Sequence, residues 1–406
     1  MRSPDAASIK KANTLSILRA VNRLPMTTQP RLAAACGLTL PTVNKCVREL
    51  LERGAVRELA EAESSGGRPA ARYVVDEDAG YILGVVIRMK DIVAGVFDFG
   101  LNVKAQVSAP FDLEKSGVEA GVQCVITLVS QLLSRPDLPH EKLLGMGVSV
   151  PGPVNYENGL IYKFPNAKKW RDVPLGQTLA GKFKLDVVVE KDNNANVLCW
   201  KWLEQTEPET STVFLGMSDG VGAGILFQGE PYRGNRSVAG EVGHVSVDPK
   251  GPLCNCKNRG CLELYASEKA LIRQATRRMA RGATSLIAEL ADGGAVTIAH
   301  IIEAASRQDA FALSLLEDAT PYVELCVDYV IKTYAPNELV IDSHWLKAFP
   351  QMFYRMIDHF FDNTELVGRD ALRIHINKHD DLWFKAAASL VLDIQYTQHD
   401  RSVFVQ

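Results

Sequence analysis

Several things this chain does not contain narrow its class at once. Nowhere in its 406 residues is there an apolar run long enough to span a bilayer, so membrane insertion is not expected. The opening segment MRSPDAASIKKANT has no signal-peptide apolar core, which sets the expectation of a cytoplasmic protein. There is no internal repeat of fixed period and no low-complexity tract, which excludes a solenoid or a disordered scaffold. A disulfide framework is also missing. Three of the eight cysteines crowd into one short motif, a usage that fits a reducing compartment.

What remains is an ordinary globular composition, 47% hydrophobic and 23% charged, in a chain long enough for two or three domains. The charge is unevenly spread. Residues 1–75 carry 12 Lys/Arg against 6 Asp/Glu, a net of +6, whereas the whole chain is at −3. The remainder therefore stands at −9. A basic head on an acidic body points to a polyanion as the partner of the head.

The head reads as a winged helix-turn-helix, over residues 1–75. Leu15, Ile17, Leu18 and Val21 form the apolar stripe of a first helix over 12–22. PRLAAAC at 30–36 is a second helix opened by Pro30, and Gly37 supplies the turn. Thr39 as N-cap and Pro41 in the first turn open a third helix over 40–53. Its inward side is Val43, Val47, Leu50 and Leu51. Thr42, Asn44, Lys45 and Arg48 are left outward, where they suit base edges and phosphates. A short strand at 55–59 opens a wing, and a strand at 71–75 closes it. Between them Gly67-Arg68-Pro69 is either an arm that places Arg68 in a minor groove or a plain linker.

Beyond the head, strands and helices alternate, which indicates α/β lobes with mixed sheets. Strands are expected at 81–87, 92–97, 144–150, 187–190, 213–215, 225–227 and 339–341. Helices are expected at 118–134, from about 194, and at 268–281, 298–306, 310–333 and 382–394. A glycine-rich turn is read at 218–224, SDGVGAG, of a kind that can cradle phosphate.

The densest chemistry lies in AGEVGHVSVDPKGPLCNCKNRGCLELYAS, residues 239–267. His244 precedes Cys254-x-Cys256-x4-Cys261, and thiolate with imidazole is the donor set that zinc prefers. Four such ligands close a structural site, one Zn2+ per chain, with no position left for water. Gly251, Pro252, Asn255, Asn258 and Gly260 form turns that suit such a loop. Buried or redox-active cysteines are the competing reading. Glu241 and Glu263 bracket the motif, and the metal would aim them.

GEVGH followed by CNCKNRGCLE resembles the signature of the ROK family, which holds sugar kinases and sugar-responsive repressors. The resemblance extends over nearly the whole chain. It implies a two-lobed actin-like (ribonuclease H-like) sugar-kinase fold behind the winged helix, with lobes at 76–198 plus 380–406 and at 199–379. It places the zinc ligands on His244, Cys254, Cys256 and Cys261. Sugar-binding residues are implied at Asn166, Asp192, Glu241, His244 and Glu263, and Pro151-Gly152-Pro153 is implied to line the sugar cleft. In the family's kinases the residue matching Asp192 is the general base. Lys191 stands before it where those enzymes have asparagine. Asp192 as a simple helix cap is the competing reading.

Family kinases also hold ATP through three glycine-bearing turns, and the chain departs from all of them. Val86-Ile87-Arg88-Met89-Lys90 stands for Asp-x-Gly-Gly-Thr. Ser218-Asp219-Gly220 stands for Gly-Thr-Gly, and Asp342-Ser343-His344-Trp345 for the glycine cluster beneath adenosine. Bulky or acidic side chains there oppose a triphosphate. The expectation is a non-enzymatic repressor with operator DNA as partner, a sugar or sugar phosphate as effector, and a homodimer or tetramer as its assembly. A sugar kinase, or a repressor controlled by a sugar-transport protein, are the alternatives. Lys168, Lys169, Lys191 and Arg233 stand either as phosphate contacts or as solvated surface.

Overall fold

The computed structural model describes residues 5–59, 71–165, 167–207 and 209–405. Arg68 and Asn166 lie outside the described residues. Two compact units are present: Met1–Ala195 with Trp202–Gln205 and Asp381–Gln406, and Asn196–Lys201 with Thr206–Asp380. The head is part of the first unit.

The head packs α1 (Ala6–Arg23), α2 (Gln29–Cys36) and α3 (Leu40–Glu52) against a wing of β1 (Val56–Leu59) and β2 (Arg72–Val75). α1 begins earlier than its apolar stripe suggests, because Asp5 caps it by accepting from the Ser8 N–H at 2.7 Å. Leu15, Ile17, Leu18 and Val21 are all buried. Gly37 ends α2 with φ 63°, in the left-handed region. Thr39 precedes α3 but makes no side-chain cap; its Oγ1 meets Thr42 Oγ1 at 3.0 Å. Val43, Cys46, Val47 and Leu50 form the buried stripe of α3. Cys46 takes the inward place expected of Leu51, since the i, i+3, i+4, i+7 spacing runs through 46.

The rest of the first unit holds a five-stranded mixed sheet in the order β10-β6-β3-β4-β5. Its strands are β3 (Tyr81–Ile87), β4 (Asp91–Asp98), β5 (Val103–Pro110), β6 (Leu143–Val150) and β10 (Val187–Lys191), with α4 (Val118–Leu133) following β5. A small sheet of β7 (Val154–Asn155), β8 (Leu160–Phe164) and β9 (Ala167–Val173) follows β6, and then α5 (Leu175–Phe183). After β10 comes α6 (Asp192–Leu203). β5, β7 to β9 and α5 are absent from the sequence reading. β5 is an edge strand with every second residue exposed, and β8 and β9 expose Lys163, Lys168, Lys169 and Arg171 around buried Ile161 and Trp170.

The second unit builds a sheet in the order β13-β12-β11-β14-β15 from β11 (Thr212–Met217), β12 (Val221–Phe227), β13 (Glu230–Pro231), β14 (Glu338–Asp342) and β15 (Arg373–Ile376). Its helices are α7 (Glu263–Ala266), α8 (Glu268–Met279), α9 (Leu286–Ala291), α10 (Ile298–Ser306), α11 (Ala310–Tyr334), α12 (His344–Ala348) and α13 (Pro350–Asp362). Of the glycine-rich stretch, only Ser218–Gly220 is a turn. Val221 to Gly224 already belong to β12, paired antiparallel with β11.

The chain returns to the first unit as α14 (Leu382–Thr397), buried from Leu382 to Tyr396 with partial exposure only at Trp383 and Lys385. α14 crosses β3 and β6 at backbone contact. A Cβ on Gly147 would lie 1.7 Å from the Ala387 carbonyl oxygen, so only glycine fits there. No described helix is long and apolar enough to cross a membrane.

Candidate metal centre and ligand site

The loop that carries the cysteines is stitched to itself through its backbone. Cys254 N donates to Asn258 O at 2.8 Å, Val247 N to Gly260 O at 2.8 Å, and Leu262 N to Val245 O at 2.9 Å. Gly260 sits at φ 60° with its α-carbon against Asp248 O, a contact that a Cβ would shorten to 1.7 Å. This scaffold brings His244, Cys254, Cys256 and Cys261 together, with all four donor atoms within 4.8 Å of one another.

The spacing fits a metal ion. A tetrahedral centre with metal–sulfur bonds of about 2.3 Å sets its sulfurs about 3.8 Å apart. Cys256 Sγ lies 3.5 Å from Cys261 Sγ, and Cys254 Sγ lies 3.8 Å from His244 Nδ1. Burial, reinforced by the neighbouring thiols, pushes the Cys261 thiol up to about 12. Burial also opposes ionisation of Cys256, but hydrogen bonds from Asn258 and the two other cysteines outweigh it and hold that thiol below its usual value. Such a set binds a cation with release of protons.

The same loop positions the carboxylates. GEVGH lies directly on β12: a Cβ at Gly240 would meet Ala223 O at 1.9 Å, and one at Gly243 would meet Val221 O at 2.2 Å. These two glycines seat Glu241 and His244 against the sheet. The His244 ring then faces two ways, with Nδ1 toward Cys254 and Nε2 3.8 Å from Glu241 Oε2. Glu263, first residue of α7, accepts from Val221 N at 3.2 Å. Glu241, His244 and Glu263 are therefore gathered beside the donor set, each partly exposed.

Asp192 belongs to the first unit. It opens α6 at the C-terminal end of β10, and its Oδ1 accepts from Asn193 N at 2.7 Å. Strand ends of this kind are where α/β sheets present ligand-binding groups. Two residues unassigned in the sequence brace this junction. Buried Glu190 accepts from Lys191 N at 2.8 Å and from Asn194 Nδ2 at 3.1 Å. Their signal was the polar run EKDNN at the end of an apolar strand. Lys191 is buried; Lys168 and Lys169 are exposed on β9, and Arg233 is partly buried in the second unit.

Two of the three turns that differ from the kinase pattern are bridged by side chains, and the other carries an exposed acidic one. Between β3 and β4, Arg88 forks onto Asp91, with Nε to Oδ1 at 2.7 Å and Nη2 to Oδ2 at 2.5 Å, while its guanidinium lies 4.0 Å over the Trp383 ring. In the second unit the Ser218 carbonyl accepts from Glu268 N at 2.9 Å, and Asp219 projects from this turn. At the third turn, Asp342 accepts from Asn377 Nδ2 at 2.9 Å. There His344 Nδ1 lies 2.9 Å from Glu268 Oε1 and its backbone N–H donates to the same oxygen at 3.1 Å. Glu268 raises the His344 imidazole above its ordinary value. Trp345 and Ser343 are buried where the kinase pattern has glycines.

On α3 the outward group is in place. Asn44, Lys45 and Arg48 are exposed and Thr42 partly so. The acidic neighbour Glu49 is drawn aside by Lys10 at 2.7 Å and Arg53 at 3.2 Å, which leaves the outward face basic.

Comparison with known proteins places these features. The model of the ROK family matches residues 84–360, and that of a winged helix-turn-helix DNA-binding domain matches residues 11–57. The chain belongs to the ROK family. The xylose repressor of Bacillus spizizenii is 27% identical over 349 residues, 86% of each chain. In fold, the chain is similar to a ROK family transcriptional regulator described as a homologue of E. coli MLC, with TM-score 0.82 and 22% identity over 98% of this chain and 99% of that one. A ROK glucokinase from Streptomyces griseus, solved with glucose and AMPPNP, covers 77% of this chain at TM-score 0.62 and 24% identity, with 99% of its own length covered. The ROK fold is thus shared by regulators and kinases, and this chain couples it to a DNA-binding head.

Proposed function

We propose that this ROK protein is an effector-responsive transcriptional repressor without kinase activity. Residues 1–75 read operator DNA through Thr42, Asn44, Lys45 and Arg48, with Arg68 either a further contact or part of a plain linker. Asn166 and Asp192 from the first lobe, at 76–198 and 380–406, and Glu241, His244 and Glu263 from the second, at 199–379, hold a sugar or sugar phosphate. One Zn2+ on His244, Cys254, Cys256 and Cys261 fixes the second group, and a homodimer or tetramer presents paired heads to a palindromic operator.

One observation carries this reading. Glu241, His244 and Glu263 are gathered beside the metal donors, while the turns that bear glycine in the family's kinases carry Arg88–Asp91, Asp219 and His344–Glu268 here. A site that keeps its ligand groups and loses its phosphate donor suits sensing. A sugar alters DNA affinity only by binding one arrangement better than another, and a coupling of about 1–3 kcal/mol changes operator affinity about 5–150-fold.

The test is operator affinity by fluorescence anisotropy, with and without each sugar that raises the melting temperature. Wild type should respond. Glu241→Ala should bind DNA equally well and no longer respond, behaving as a super-repressor. Wild-type affinity that no binding sugar alters would discard the small-molecule effector and favour control by a sugar-transport protein.

A further inference from the structure

The head is not tethered by its linker alone. Arg19 of α1 reaches the C-terminal end of α14, where Nε donates to Tyr396 O at 2.5 Å and Nη2 to Thr397 O at 3.3 Å. The last carbonyls of a helix have no partner within it and carry the negative end of its dipole, so a guanidinium is a strong cap there. Here the cap comes from another domain. Beside it the Tyr396 hydroxyl donates to Asn22 Oδ1 at 3.3 Å. Arg53, just past α3, donates to Val403 O at 3.1 Å, in the tail that α14 leads into. Phe404 of that tail is buried against Phe99, ring centroids 4.9 Å apart, and Phe99 stacks on Tyr396.

The polypeptide's passages between units converge on the same helix. The chain returns from the second unit at Asp380/Asp381, and Asp381 is the residue that caps the start of α14. It leaves the first unit within α6 after Ala195 and is back in it at Trp202, which stacks on Tyr396 at 4.7 Å and donates from Nε1 to Asp393 at 3.1 Å, before it leaves again after Gln205. At Gly147, α14 and β6 meet backbone to backbone, with no room for a Cβ beside the Ala387 carbonyl.

We infer that α14 transmits the ligand state of the body to the DNA-reading head, and that Arg19 is the positioning residue that engages it. This presupposes the effector-responsive repressor proposed above. Arg19 lies on α1, away from the outward face of α3, so its loss should spare DNA reading.

The experiment uses full-length protein, an operator duplex selected by that protein from a random pool, and the thermal-shift sugars as probes. Arg19→Ala should keep operator affinity and sugar affinity each within about threefold of wild type, while the sugar-induced ratio of operator affinities falls from about 5–150 toward 1. Arg19→Lys, which keeps the charge but not the forked geometry, should retain part of the ratio. Tyr396→Phe, which removes only the bond to Asn22, supplies the same readout if Arg19→Ala does not fold. An unchanged ratio in these variants overturns the inference. A second arm needs no sugar: operator binding should slow amide exchange across 382–397 in wild type and not in Arg19→Ala. If no sugar moves the wild type but the exchange result holds, the effector reading fails and the linkage stands. If operator leaves exchange in α14 unchanged, the linkage fails whatever the sugars do.

Discussion

Two regions of the second unit treat the backbone in opposite ways. In the metal loop, glycines at 240, 243 and 260 still let backbone touch backbone, and the carboxylates and donor atoms stay gathered. At the turns that match ATP-holding turns of the family's kinases, side chains stand instead of glycines: exposed Asp219 in one, and His344 with buried Trp345 and Ser343 in another. A shared fold does not settle function, which has to be read from each site in turn.

The contrast can be broken most decisively by chemistry. No ATP-dependent phosphorylation of any common hexose or N-acetylhexosamine is expected in a coupled ADP-release assay, against about 1–100 s⁻¹ typical of kinases. A turnover in that range would mean that the filled turns still accept nucleotide. Next in size is the metal. Elemental analysis should find one zinc per chain, and Cys256→Ser should lose it together with several kcal/mol of stability, since structural zinc contributes to folding directly. Full stability in a chelated sample would separate the loop's shape from its ligands.

A smaller effect tests the carboxylates alone. Glu263→Gln keeps an acceptor for Val221 N but removes the charge, so its melting temperature should stay near wild type while sugar affinity drops by about 1–3 kcal/mol, read by calorimetry. Smaller again is Arg48→Ala in the head, which should weaken operator binding and lower the salt slope by about one.

The smallest effect sharpens the comparison from the nucleotide side. The His344 imidazole is raised by Glu268, so its ion pair contributes stability that is fully present below the ordinary histidine value. That contribution fades as pH rises through the raised value. His344→Gln should flatten the corresponding fall in melting temperature; the imidazole is largely exposed, so the change will be slight.

Legibility in the sequence followed burial. The stripe of α1, the strands at 81–87 and 144–150 and the helix at 298–306 could be read because one face of each, or both, is apolar. β5 and the β8–β9 hairpin could not, since their outward residues are charged or small and interrupt the apolar pattern. The glycine pattern at 218–224 was misread as one long turn, because the same residues also permit close packing within a strand. The metal donors and Glu241, His244 and Glu263 were legible because one short loop holds nearly all of them. The Glu190 and Asn194 brace was not, since its meaning depends on how a strand end meets a helix. Nor was Arg19, which in sequence is one cation among many.

Arg19 addresses main-chain carbonyls, and every residue at 396 or 397 supplies those. The accepting atoms of that contact are thus independent of side-chain identity, although Tyr396 is constrained separately by its burial and stacking. Among relatives, position 19 should be restricted without any co-variation with 396 and 397. Position 147, where backbone meets backbone, should admit glycine alone. A search for correlated pairs would pass over this joint between head and body, whereas a deep mutational scan would find Arg19.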